Sequence, residues 1–265
     1  MLKYMFPLFK KIKMNRLLLM ILFLSLSWSL VAKPYVMEFY QEDLTENKKK
    51  QLCEMFPDDC INENIWAFKK VADDQYYFIS QEKVYLIKEE NYKLVIEDHW
   101  DFLNFEPKKT KSIWFGGGKV MGVSVQSALY PIDGKNLAVA VRYGWSDNDR
   151  QFNGLITESS VDFVKLEKNG QYQVLLENVP FYYYSMTWYC LNGELDLDPN
   201  AKCIENEEFN LSVTYIKPKK WQMIMKYQRD ASPFSKHHEF HVQKPVNVNL
   251  DFPREITVPN EWLKY

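Results

Sequence analysis

The sequence predicts a mainly β protein: antiparallel sheets of about a dozen strands, in a sandwich or a degenerate propeller-like arrangement, with one short N-terminal helix. Three observations carry this. From Ile65 onward, and again from Ile113 to Val248, apolar residues recur with period two in short runs. The runs are rich in Tyr, Phe, Trp, Val and Ile, residues that suit a pleated surface. Polar turns divide them too closely for intervening helices.

The chain opens differently. The first sixteen residues hold Lys3, Lys10, Lys11, Lys13 and Arg16 and no acid, and Leu17 to Val31 carry no charge. A basic segment, a short apolar segment and a small residue, Ala32, are the three parts of a cleavable secretory signal. Fifteen uncharged residues, three of them serine, fall short of the roughly 20 needed to span a bilayer. The expected division is a signal peptide over residues 1–32 and a single β-rich exported domain over 33–265, with no transmembrane segment after cleavage. Met14 is an alternative start, since it leaves a basic segment of ordinary length.

Loss of residues 1–32 removes five of the 33 basic groups and none of the 35 acids, leaving a net charge of −7. Nucleic acids and anionic lipids require a basic patch, so both are poor partners for such a chain. A basic protein is the better fit. The four cysteines suit an oxidising compartment, and the close spacing within Cys53/Cys60 and Cys190/Cys203 predicts two local disulfides. Neither pair has metal-ligand spacing.

The helix is expected to begin at Asp43-Leu44-Thr45, to gather Leu44, Leu52, Met55 and Phe56 on one face, and to stop at Pro57. Beyond it, three hairpins resemble one another. Their second strands align as Tyr92/Leu94/Ile96, Tyr172/Val174/Leu176 and Trp221/Met223/Met225. Alternation would place each trio on one face of a sheet, and such a repeat would suit propeller blades.

Few motifs carry chemistry. If Lys236 to His241 is a strand, His237, Glu239 and His241 project from one face and could hold zinc or iron, with His99 as a further ligand. An exposed edge strand is the simpler reading, and no metal or cofactor is assigned. Asp196, Asp198, Asn200 and Glu207 have the spacing of a calcium loop, but Ala201 stands where the turn needs glycine. Gly116-Gly117-Gly118-Lys119 lacks the serine or threonine of a phosphate loop and reads as a turn. Gly122-Val123-Ser124-Val125-Gln126 lacks the second glycine of a nucleophile elbow.

The segment Phe181 to Tyr189 is the densest in aromatics. As a strand it presents Tyr182, Tyr184, Met186 and Trp188 on one face, and Tyr182, Tyr184 and Trp188 are the expected binding residues. The expected function is that of an exported, periplasmic or secreted binding protein: an inhibitor or immunity-type protein that engages another envelope protein. A hydrolase or metal-dependent enzyme of the envelope, or a carbohydrate-binding module, are the alternatives.

Overall fold

A computed structural model describes residues 36–38, 45–60, 67–107, 121–147, 154–189 and 203–262. All belong to one compact unit of the chain, Tyr35–Tyr265. Among the described residues it is mostly strand, with one nine-stranded and one four-stranded antiparallel sheet and a single α-helix. Among the described residues no helix is long and apolar enough to cross a membrane.

Helix α1 (Glu46–Met55) starts where Thr45 accepts the Lys48 N–H in its side-chain oxygen, 3.4 Å away. Glu46 adds negative charge at the positive end of the helix dipole. The helix stops before Pro57, which opens a short 3-10 turn, and the Cys53–Cys60 disulfide ties its last turn to the end of that turn. Leu52 is fully buried, and the Phe56 ring lies 4.6 Å from those of both Phe78 and Tyr85.

Strands β2 (Phe68–Lys70), β3 (Gln75–Ser80), β4 (Lys83–Glu90) and β5 (Lys93–Asp101) form the smaller sheet as a simple meander. One face packs on α1 through Phe68, Tyr76, Phe78, Ile87 and Leu94. The other turns Ile79, Val84 and Trp100 toward the larger sheet. The edge of β5 is occupied by α1: Gln51 accepts the Leu94 N–H at 2.8 Å and donates to the Tyr92 carbonyl at 3.1 Å.

The larger sheet runs β1 (Met37–Glu38), β7 (Ala128–Pro131), β8 (Leu137–Asp147), β9 (Gly154–Leu166), β10 (Tyr172–Trp188), β11 (Ile204–Lys217), β12 (Lys220–Asp230) and β13 (Phe240–Asn249), with β6 (Met121–Val125) paired beside β7 on β8. Val139, Val141 and Val164 cover the smaller sheet. The opposite face encloses the main core, which contains Phe163, Phe209, Trp221, Met223 and Met225. The sheet curls around that core without closing into a barrel among the described residues. At the lip of the curl the Trp221 indole donates to the Pro131 carbonyl at 2.6 Å, and the Lys219 N–H donates to the Ile132 carbonyl at 2.6 Å. The C-terminal segment then plugs the open side with Ile256, Val258 and Trp262, the last stacked on Tyr227.

Two contacts fix one sheet against the other. The Trp100 indole on β5 donates to the Glu167 and Gln171 carbonyls at 2.7 and 2.9 Å. Asp98, also on β5, accepts the Asn169 and Gly170 N–H groups of the same β9–β10 turn. Gly170 has φ +69°, and a Cβ there would meet the His99 carbonyl at 2.9 Å, so the turn can sit this close only with glycine.

The hairpin repeat does not produce blades. Its second and third copies are neighbours in one continuous sheet, and the first lies in the other sheet. Nor does each trio share a buried face. Tyr92 is 85% exposed because Asn91-Tyr92, with φ of 51° and 63°, is the two-residue turn rather than the start of the strand. Ile96, although paired with the buried Ile87, is 41% exposed. Only Trp221, Met223 and Met225 behave as the alternation predicts, all within the core.

Replacing Trp221 by phenylalanine leaves the buried Pro131 carbonyl without its donor. A loss of about 1–3 kcal/mol is expected, read from the urea unfolding midpoint.

Candidate functional site

Alternation along β11 points Leu211, Phe209, Glu207 and Glu205 the same way. The first two enter the core, so the two carboxylates follow them inward at the end of the sheet. Cross-strand pairing sets Arg229 of β12 opposite Glu207 and Ser185 of β10 on its other side. Arg229 Nε and Glu207 Oε1 are 2.6 Å apart, and the arginine side chain is 3% exposed. Arg229 Nη2 donates to the Tyr227 hydroxyl at 2.8 Å, and the Tyr183 hydroxyl donates to Glu207 Oε2 at 3.4 Å. Burial, followed by the Glu207 charge, pushes the Tyr183 and Tyr227 hydroxyls far above their ordinary range, so both remain protonated.

His237 completes the cluster from the loop between β12 and β13. The loop folds back on itself: the Ser235 N–H donates to the Ser232 carbonyl, and the His237 N–H donates to the Ser235 hydroxyl at 2.9 Å. This presents His237 Nδ1 2.8 Å from Glu205 Oε1. The Tyr189 hydroxyl donates to the same oxygen at 3.5 Å. Burial works to raise the Glu205 pKa. It is outweighed by hydrogen bonds from Ser235 and His237 and by the charges of His237 and Arg229, so the carboxyl is held below its ordinary value. Glu205, Glu207 and His237 each offer a ligand atom, all within 4.8 Å of one another.

The alternative reading, a metal face of His237, Glu239 and His241, is not built. The strand begins only at Phe240, so His237 lies in the loop and turns to Glu205, while Glu239 and His241 are exposed. His99 faces outward on β5 in the other sheet, stacked on Tyr85. Of the calcium-loop residues, Glu207 is a strand residue committed to Arg229. Asp196, Asp198 and Asn200 lie outside the described residues, as does the glycine run 116–118. Cys203 is disulfide-bonded; its expected partner, Cys190, is likewise outside them.

The expected binding residues lie on the other face of the same strands. Tyr183 and Ser185 are buried, whereas Tyr182, Tyr184 and Met186 are half-buried and Trp188 is exposed. Register places Asn210, Glu208, Asn206 and Ile204 of β11 beside them in turn. The Tyr184 hydroxyl donates to Asn206 Oδ1 at 3.2 Å. Glu208 accepts from Asn210 at 2.6 Å and from Gln228 at 3.1 Å. Beyond Glu208, the same face opens into a groove of about 310 Å³ lined by Lys226, Gln228, His241 and Gln243.

Sequence reading did not find Glu205 or Arg229. The signal was present in the third repeat. Continued from Trp221, Met223 and Met225, the alternation reaches Tyr227 and then Arg229 on the same buried face.

Glu207→Leu removes the carboxylate that faces the buried Arg229 guanidinium and should cost about 3–5 kcal/mol, whereas Glu207→Leu with Arg229→Met should cost less than the single change; a denaturation double-mutant cycle measures both. Because the folded pKa of Glu205 is depressed, its contribution is present above the unfolded value, near 4.5, and is lost as pH falls through the folded one. Glu205→Gln should therefore flatten the fall in urea midpoint between pH 5 and 3, roughly the interval over which a lowered carboxyl titrates. Compared with known proteins, the chain matches no family model, no curated protein and no solved structure.

Proposed function

We propose that this chain is a periplasmic or secreted binding protein that engages another envelope protein, as an inhibitor or immunity-type protein does. The observation that supports this reading is the outer face of β10 and β11. Trp188, 44% exposed, stands directly opposite Ile204, 36% exposed, and the row continues through Met186, Tyr184 and Tyr182. Rigid aromatic side chains of this kind supply contact area at little entropic cost and dominate the energetics of protein interfaces. The polar groups alongside are largely bonded to one another, through Asn210, Glu208 and Gln228, so little of their hydrogen bonding depends on a partner. Export rests on the basic and apolar segments at the start of the chain and agrees with the disulfide-bonded cysteines. The net charge of −7 over residues 33–265 favours a basic partner.

A carbohydrate-binding module is the second reading. It is favoured by amides beside the aromatics, Asn206 and Asn210, because tyrosine and tryptophan rings stack on sugars while amides meet their hydroxyls.

Affinity capture from envelope extract, with wild type and Trp188→Ala/Tyr182→Ala in parallel, tests the proposal. A protein retained by the wild type and released at least about tenfold more readily by the double variant, with unchanged thermal stability, is expected. Retention of wall polysaccharide with no protein partner would favour the second reading, and turnover of that polymer would overturn both.

A further inference from the structure

We infer that Glu205, Glu207 and His237 form a binding site for one divalent transition-metal ion of the zinc class. The first ground is the donor set. Two carboxylates and an imidazole converge within 4.8 Å, the two acids on one strand and the histidine on a folded loop. Tetrahedral zinc takes nitrogen and oxygen donors at about 2.0–2.2 Å, which separates the donors by roughly 3.3 Å. His237 Nδ1 and Glu205 Oε1, at 2.8 Å, are already near that spacing.

The second ground is independent of the cluster. Glu205 is 4% exposed, and its Oε2 is buried with no hydrogen-bond partner. An unpaired buried carboxylate oxygen is costly, since burial removes its hydration and nothing replaces it. Tyr189 and His237 both meet the other oxygen, Oε1, and the Ser235 hydroxyl, which also approaches the carboxylate, leaves Oε2 unsatisfied. A cation is the occupant that would satisfy Oε2; ligation by His237 Nδ1 would replace that nitrogen's hydrogen bond to Oε1, while the Tyr189 hydroxyl would keep its own.

Charge points the same way. With a neutral imidazole, the two carboxylates and Arg229 sum to −1, and the guanidinium is already committed to Glu207 Oε1 and the Tyr227 hydroxyl. His237 is 32% exposed, which gives the ion a path from solvent, and three protein donors leave a fourth position for water.

The test uses the full chain, stripped of metal by chelator, titrated calorimetrically with Zn²⁺ alone at pH 7.5. One ion per chain is expected. His237→Ala and Glu205→Gln should each weaken binding at least tenfold, and His241→Ala should leave it unchanged. X-ray absorption at the zinc edge should report nitrogen and oxygen donors and no sulfur. Should Glu205→Gln not fold, His237→Ala decides, because its side chain is partly exposed on a loop. No binding at pH 7.5, undiminished binding by His237→Ala, or loss of binding in His241→Ala would overturn the assignment.

Discussion

The curl of the nine-stranded sheet depends on one indole. Trp221 is 1% exposed, packs edge-on against Phe163 at 5.2 Å and reaches across the lip to the Pro131 carbonyl. A flat sheet of this size would leave one face in water. By closing the lip, Trp221 converts that face into the main core and brings β7 against the β11–β12 turn. The adjacent Lys219 N–H bond is available only because Pro218 and Lys219, φ +59°, make a tight turn there. The C-terminal segment has a cleft to fill because the curl stops short of closure.

The two candidate sites follow from that arrangement. Strands β10 to β13 have one face in the core and one in solvent, so alternation sorts their side chains into two populations. Where the core is deep, the inward row is apolar. Where the sheet runs past it, the same row becomes Glu207, Glu205 and Arg229. The outward row carries Tyr182, Tyr184 and Trp188. Neighbouring strands of one sheet thus serve a buried ionic cluster and an exposed aromatic face, separated by the thickness of that sheet. Asp162 steadies β10 between them, accepting the Tyr143 hydroxyl at 2.9 Å and the Asn178 N–H at 2.7 Å where β10 bulges.

Local features of this fold were legible in the sequence. The helix, its stop at Pro57, the Cys53–Cys60 bridge and the strand-rich remainder follow from spacing and composition, as does the side-to-side division of Tyr182, Tyr184 and Trp188 from Tyr183. Features set by partners were not legible. Tyr92 reads as a strand residue until its positive φ is known, and the bulge between Ile96 and Asp98 puts Leu94 and Trp100, which simple alternation would place together, in different cores. His237 illustrates the same point. Its spacing to His241 suggests a shared strand face, but two serine hydrogen bonds fold the loop and hand the ring to Glu205, about thirty residues away in the chain. No period in the sequence encodes that meeting.

The order of the strands has a consequence for how the chain assembles. From β2 to β5 and from β7 to β13, each strand pairs with its predecessor, so most of the ladder can zip from adjacent segments with short loops to close. The exceptions are the β1–β7 and β6–β8 pairings and the lip, where Trp221 meets Pro131 across 90 residues. Assembly is therefore expected to pass through an open ribbon with its hairpins made and its inner face still wet. Such a ribbon would expose Phe163, Phe209 and Met223 together until the lip closes. The stretch of chain between β7 and β12 thus sets how long a sticky intermediate persists, quite apart from how stable the finished protein is.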